Sequence, residues 1–491
     1  MAADFYDVVV LGGDLAATVA GAVLSHRGFR VLVAGVPTDE RYAIGPYTLP
    51  RSPLAFIGLE GPNLKRLLGE LNLVQLLRRR LEPNRPAYQL LLPDHRIDVG
   101  DDLSREIGRE MPDALAGLET AQARMAEVSS AVEGILSQDL ILPPDGFWDR
   151  RDANRVGARL PDDGDDVQAP LPADHPLRAL NRLPAAFGAD LVELGAVGLS
   201  RLADLHRRGT FRIDGGRQGL RSLLLDRLKT HSGDVRPELS PEAIVIKRGR
   251  VAGVRFAGKS EVVGCTHVLC GMGADRVAAL LDGEKPPKRL AEAAAIKPAY
   301  HRYLLHLVAP LDALPDAFGR LAFAVRDPNG DLDGGNALAL HLADGYGQHA
   351  VLSVEAFFGG ASTPAPGELQ PLRAKVRAHL DELLPFVDRH LLAVHSPHDG
   401  VPPELDDGAE STTAPPPVPL EPVWSMPGER ALGFCGVPHA TGIKHLLLAS
   451  RQVLPGLGLE GELAAGWGAA RLVLQTEKKR DLVKGAVLES T

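Results

Sequence analysis

The chain of 491 residues carries 54 Lys and Arg against 63 Asp and Glu, a formal charge of −9, and 45% of it is hydrophobic. That length and apolar fraction fit two or three domains with real cores and exclude a disordered chain. The acidic balance supplies no clustered basic footprint for nucleic acid.

Three cysteines cannot build a disulfide framework, and Cys265 and Cys270 lack CxxC spacing. The acidic start Met1–Asp7 has no basic leader region, and no apolar run approaches the roughly 18 residues of a membrane span. A cytoplasmic protein without a transmembrane segment is expected.

The first element is the apolar run Asp7–Leu11, expected as a strand buried on both faces of a parallel sheet. Gly12-Gly13 breaks it, Leu15–Leu24 reads as a helix of small residues, and Arg30–Ala34 follows as a second strand, a βαβ opening. Residues 53–80 have helical periodicity, and Tyr88–Leu92 is a strand that turns at Pro93-Asp94. The stretch 144–176, dense in Asp, Pro and Gly, is expected to be a solvated loop. From Phe211 the pattern returns: strand, the turn Asp214-Gly215-Gly216, helix Leu220–Thr230, a hairpin of Ala243–Ile246 with Val251–Phe256, strand Val262–Cys270 and helix Ala274–Leu281. Strands at His301–Leu307, Ala337–Leu342 and Val351–Phe357 and a helix at Leu372–Leu384 form a second sheet-based region. Residues 399–422, with Pro415–Pro417, read as a surface linker, and Leu463–Leu474 as a helix.

A dinucleotide fold needs G-x-G-x-x-G at the first βα turn: a tight turn, close backbone approach to the pyrophosphate, and helix–strand packing. The six positions here are Gly12, Gly13, Asp14, Leu15, Ala16 and Ala17. Gly12 meets the first requirement and Ala17 is tolerable at the third. Asp14 adds a carboxylate where the helix N-terminus should attract an anion, and suits an N-cap instead. The second strand ends Val33-Ala34-Gly35 without the acid that would hold ribose hydroxyls; Asp39 and Glu40 substitute only if the loop doubles back.

With Tyr6–Gly13, Asp214–Leu220, Ile244–Val254 and Pro455–Gly461 in this order, the chain resembles the FAD-dependent phytoene desaturase and flavin amine oxidase superfamily over nearly its whole length. The resemblance implies an α/β fold with a discontinuous FAD/NAD(P)-type Rossmann domain (1–75, 210–290 and 423–480) and a second α+β substrate or partner domain (76–209 and 291–398), joined by the 399–422 linker, with a tail at 481–491. It places FAD contacts at Gly12, Gly13, Asp14, Leu15, Ala17, Gly35, Pro241, Ser450, Arg451, Gly456, Gly458 and Leu459.

Several of these depart from the family pattern. The Gly-Gly-Arg-like loop that lies against the flavin is replaced by Pro37–Tyr42. Pro241 falls where a valine backbone binds adenine, and proline has no N–H to give. Ser450-Arg451 stands in place of Gly-Asp or Gly-Glu. Arg451 either binds a phosphate or pairs with Asp14 across a vacated site. All the changes remove contacts to one ligand, so the expectation is a degenerate flavin site in a non-catalytic homologue that binds a protein or an apolar ligand. The alternative is an active FAD-dependent oxidoreductase abstracting hydride from a C–C or C–N bond of an apolar substrate.

Cys435, His439 and His445 match no zinc spacing, so no metal is expected. Cys265, His267 and Cys270 read as core residues, Glu460 and Glu462 as ordinary helix-N-terminal carboxylates, and Leu191–Leu205 as a helix that either lines an apolar groove or packs in a core.

Overall fold

The computed structural model describes residues 5–35, 39, 41–138, 140–259, 261–344, 349–406 and 415–477. Its first sheet is a Rossmann-type sheet of seven strands. Strand β1 (Phe5–Gly12) lies at its centre, parallel both to β2 (Val31–Ala34) and to Val263–Gly271. Val8 to Leu11 are completely buried, as expected of an apolar run covered on both faces. Asp234–Arg236 extends the sheet beyond β2, Leu446–Leu448 pairs with Val263–Gly271, and the hairpin Pro241–Lys247 and Arg250–Phe256 forms the antiparallel side.

Helix α1 (Leu15–His26) is small-residue because it is squeezed. A Cβ at Gly21 would lie 3.2 Å from Val10 of β1, and one at Gly466 would lie 2.4 Å from the Ala16 carbonyl. The helix Gly458–Thr476 therefore crosses α1 almost backbone to backbone, which brings the C-terminal segment to the first βα turn.

The second sheet has nine strands. Pro298–Pro310, His349–Gly359, Ala337–Asp344 and Leu321–Val325 form its antiparallel middle, and Tyr88–Leu91 joins parallel to Leu321–Val325. Alternation along His349–Gly359 divides its two faces. Leu352, Val354 and Ala356 pack under Leu372, Val376 and Leu380 of the helix Gln370–Leu383. Ser353 and Glu355 point the other way, into the cleft facing the Rossmann-type domain.

Three expectations are revised, and one open alternative is decided. The 144–176 stretch contains a helix, Phe147–Gly157, whose start is held by Gly146 N–H donating to Asp149 (3.1 Å); Ala153 is its one buried residue, so no apolar stripe announced it. Residues 53–80 form two helices, Pro62–Glu70 and Val74–Arg80, interrupted where Asn72 takes φ 52°, a conformation asparagine tolerates. The 399–422 segment is not all linker: Asp399 is buried and accepts from Tyr303 (2.8 Å) and Arg373 (2.9 Å), and Glu421–Trp424 pairs with Pro298–Pro310. Its Asp407–Ala414 portion lies outside the described residues. The helix of the 191–205 region is Ala196–Arg208, a core helix rather than a groove wall, buried with Leu202 and Leu205 against Ala185 and Ile57. Among the described residues no helix is long and apolar enough to cross a membrane.

Candidate functional site

The βα turn keeps the glycine that its geometry demands. Gly12 has φ +93°, and a Cβ there would sit 2.4 Å from the Gly271 carbonyl oxygen. Asp14 N–H donates to that same oxygen (3.0 Å). Ala17 fits because the next strand passes close by: a Cβ on Gly271 would come within 2.6 Å of Ala17 Cβ.

What lies against the turn is protein. Leu15 N–H, the first amide of α1, donates to Glu462 Oε1 at 2.5 Å, and Arg217 donates to the other oxygen of Glu462. Glu462 reaches this place from the first turns of Gly458–Thr476, and its side chain is fully buried. A helix N-terminus attracts an anion through its free amides and dipole, and here a carboxylate of the same chain satisfies it. Arg221 covers Gly13: its guanidinium donates to the Gly13 carbonyl and lies 3.6 Å from where a Cβ at that glycine would be.

Asp14 occupies the N-cap position with extended backbone, but its side chain bonds no amide of α1, contrary to the capping expectation. It accepts from Arg451 N–H (3.0 Å) and lies 3.4 Å from Arg451 Nε, because the chain after Leu446–Leu448 runs past the turn. Arg451 Nη1 continues to Glu421 (2.8 Å) and Asp190 (3.4 Å). Arg302 stands 3.9 Å from Asp190 and 3.4 Å from Glu355, and His341 is 3.4 Å from Glu355. Charges thus alternate from the first turn of α1 to the floor of the second sheet.

Burial pushes Glu462 up to about 7, against the pull of Arg217. Asp14 is raised for the same reason, although Arg451 opposes it. For Glu421 burial also opposes ionisation, but Arg451, Arg217 and Arg302 outweigh it and hold the carboxyl at about 2. Arg221 is lowered to about 10 by burial and by Arg217.

Most of the other positions that the resemblance assigns to an FAD site are packed against protein. Gly35 has φ +66°, and a Cβ there would meet the Leu239 carbonyl at 3.0 Å and Pro241 Cδ at 3.1 Å, so the proline ring lies against the end of β2. Asp39 is an exposed residue 4.0 Å from Arg51, and Glu40 lies outside the described residues. Ser450 is completely buried. Gly456 packs on Phe434, and Gly458, at φ +52°, passes so near the Gly188 carbonyl that a Cβ would fall 1.9 Å from it. Leu459 lines the cleft. As these side chains stand, a diphosphate has no place against Leu15 N–H, and the residues present do not fit FAD at its phosphates.

Beyond the network the cleft has two lobes of about 60 and 80 Å³, far below the 300 Å³ and more of pockets that enclose drug-sized ligands. A wider open groove, about 920 Å³, runs between the helix Phe147–Gly157 and the 425–438 segment, and no residue of the βα turn lines it.

Sequence reasoning missed Arg217, Arg221, Asp190, Glu421 and the role of Glu462. Arg217 and Arg221 lie one helical turn apart just after the conspicuous Gly215-Gly216, a signal that these two share a face. Asp190 and Glu421 carried no local sign. Cys265, Cys270 and Cys435 are buried and unpaired, His439 bonds the Leu448 carbonyl (2.7 Å), and His445 bonds that of Thr266 (3.1 Å). Among the described residues no three His, Cys, Asp or Glu side chains are grouped as metal ligands.

Comparison of the sequence with protein-family models and with curated proteins gives no match. Solved structures do match in fold. An oxidoreductase from Methanosarcina mazei is 14% identical with a TM-score of 0.57, covering 96% of this chain and 99% of its own. Cyclohexylamine oxidase from Brevibacterium oxydans is 14% identical with a TM-score of 0.54, covering 96% and 99%. A putrescine oxidase variant is 14% identical with a TM-score of 0.57, covering 97% and 99%. At these identities the likeness is one of fold: the chain shares the architecture of these oxidoreductases, a Rossmann-type domain with a second domain.

Proposed function

We propose that this chain is a flavin-free protein of the FAD-dependent oxidoreductase fold, one that binds a small partly apolar ligand between its two sheets and catalyses no redox step. The observation that carries the reading is the Glu462 carboxylate on Leu15 N–H, neutralised by Arg217. A dinucleotide would have to expel a buried ion pair to reach the amide its phosphates use. Removing one partner of such a pair costs about 3–5 kcal/mol, roughly two to four orders of magnitude in affinity. The narrow lobes of the cleft and the Pro241 ring at the end of β2 support the same reading. The free, buried cysteines suit a reducing, cytoplasmic setting.

The test is the flavin content of protein purified from riboflavin-supplied cells, by visible absorbance and by fluorescence of heat-released cofactor. Colourless protein that takes up no added FAD is the expected result; near-stoichiometric flavin would overturn the reading. The retained amine-oxidase fold favours one alternative, an active FAD-dependent oxidoreductase acting on a C–C or C–N bond, and that alternative requires flavin in the same assay.

A further inference from the structure

Two neighbouring aromatic side chains stand out from the surface at the start of the helix Phe147–Gly157. Phe147 is 75% exposed and Trp148 68%. Their rings meet edge to face with centroids 5.4 Å apart, and Arg151 lies over the Trp148 ring at 5.5 Å. A single exposed apolar residue is ordinary, but a stacked Phe-Trp pair is the kind of anchor that dominates protein interfaces. The open groove of about 920 Å³ borders this aromatic knob. Arg150 and Asn154 of the same helix line it, as does Asp145, two residues before the helix, in an ion pair with Arg289 (2.6 Å). Between the charged residues the wall is apolar, with Ala293, Ala295, Ile296, Met426, Ala431 and Val437.

The charges of this face are balanced. Asp145, Glu292 and Glu429 stand among Arg150, Arg289 and Lys297, while Arg430 is held by Asp163 and by the Met426 and Glu193 carbonyls. The helix beside the groove mixes its signs in the same way, with Asp149 and Asp152 among Arg150, Arg151 and Arg155. Such a face favours neither a polyanion nor a polycation, and it is electrostatically complementary to a surface of its own kind.

We propose that a second copy of this chain docks on this face across a two-fold axis, with Phe147 and Trp148 of each protomer in the groove of the other. Knob and groove lie side by side, so one rotation seats both, as an isologous contact requires. Aromatic side chains bury about 150–250 Å² each. At the exposure they show, the two rings and an equal area of groove wall, covered once in each direction, hide about 1,200 Å² in total, the lower edge of specific interfaces. A dimer of that size is a weak, reversible one. The groove shares no lining residue with either lobe of the cleft, so the interface is independent of what the cleft binds.

The test is sedimentation velocity of the full chain over roughly 1 to 300 μM, the range in which a weak dimer forms and dissociates, with tryptophan fluorescence read on the same samples. Of the three tryptophans, Trp424 and Trp467 are buried and Trp148 is exposed, so a change in emission with concentration reports Trp148. A rise to twice the monomer mass is expected, with a blue shift and protection from acrylamide quenching in step. Trp148→Ser on the knob and Ala295→Glu, at an exposed residue of the groove, are each expected to weaken the dimer at least tenfold. A monomer at every concentration overturns the proposal. So does a dimer that either variant leaves intact, because its contact then lies elsewhere. Trp148 shielded from acrylamide in a monomer overturns it as well, since the ring is then covered within one chain. Should a variant fail to fold, mass and Trp148 quenching of the unaltered chain decide alone: dimerisation that leaves Trp148 open to acrylamide overturns the proposal.

Discussion

Replacing Glu462 with Leu removes the carboxylate that joins α1 to Arg217. Its side chain is fully buried and Arg217 is 12% exposed, so the guanidinium left behind stays largely out of water, with Glu421 and Asp190 as its remaining counter-charges. Breaking a buried pair in this way costs about 3–5 kcal/mol; with those residual partners the lower end, about 3 kcal/mol, is expected. The reverse change, Arg217→Met, costs less at pH 7, because burial already favours the protonated form of Glu462, so the carboxyl left without its partner can take up a proton and neutralise itself. The double substitution puts two apolar side chains where the pair was, and its cost should fall below the sum of the singles by about 2 kcal/mol or more. With an unfolding entropy of roughly 1 kcal/mol per kelvin at this chain length, Glu462→Leu lowers Tm by about 3 °C. The assay is urea denaturation of the four proteins at pH 7, followed by circular dichroism. Strictly additive singles, or a Glu462→Leu cost below about 1 kcal/mol, would show that the contact is incidental and remove the main support for a self-filled anion site.

Other outcomes follow from the same geometry. A carboxyl whose folded pKa is raised binds its proton more tightly in the folded state, so stability falls as pH rises from the unfolded value near 4.5 through about 7. Relative to Glu462→Gln, the unaltered protein should therefore lose stability between pH 5 and 8, by up to about 3 kcal/mol; parallel Tm profiles would refute this. Gly12→Ala places a Cβ at φ +93° and 2.4 Å from a backbone oxygen, and is expected to cost about 2–4 kcal/mol in chemical denaturation, whereas an unchanged midpoint would mean the turn relaxes freely. Arg201 is wholly buried and bonds both oxygens of Glu460 at 2.8 Å as well as Ser129; Glu460→Ala should destabilise by about 3–5 kcal/mol, with a loss under 1 kcal/mol counting against it. All three cysteines are buried, and burial pushes Cys265 up to about 12, so a thiol reagent should label none in the native protein and all three in denaturant; fast native labelling would contradict the packing.

How far the sequence reached depended on the range of the interaction. The apolar run at 7–11, the small residues of 15–24, the hairpin before Phe256 and the alternating strands of the second sheet are local patterns set by burial and period, and the structure realises them. The helix Phe147–Gly157 and the break at Asn72 escaped because neither leaves an apolar stripe. At the site, the sequence raised Asp14 and Arg451 as partners 437 positions apart, since each replaces a residue that a dinucleotide would contact, and they lie together. The occupant of the α1 N-terminus was beyond its reach. Glu462 reads as an ordinary carboxylate in the first turns of its own helix; only the close crossing permitted by Gly466 carries it to Leu15, and only the Gly215-Gly216 turn aims Arg217 at it. Asp190 and Glu421 come from segments far apart in sequence and meet Arg451 because the second sheet closes over the turn. The sequence by itself determined the alternation of strands and helices and the departure of the first βα turn from G-x-G-x-x-G, because these depend on residue type and spacing. Which side chains meet the first amide of α1 was decided by tertiary packing, because a buried charge takes its partner from whichever segment is nearest in space.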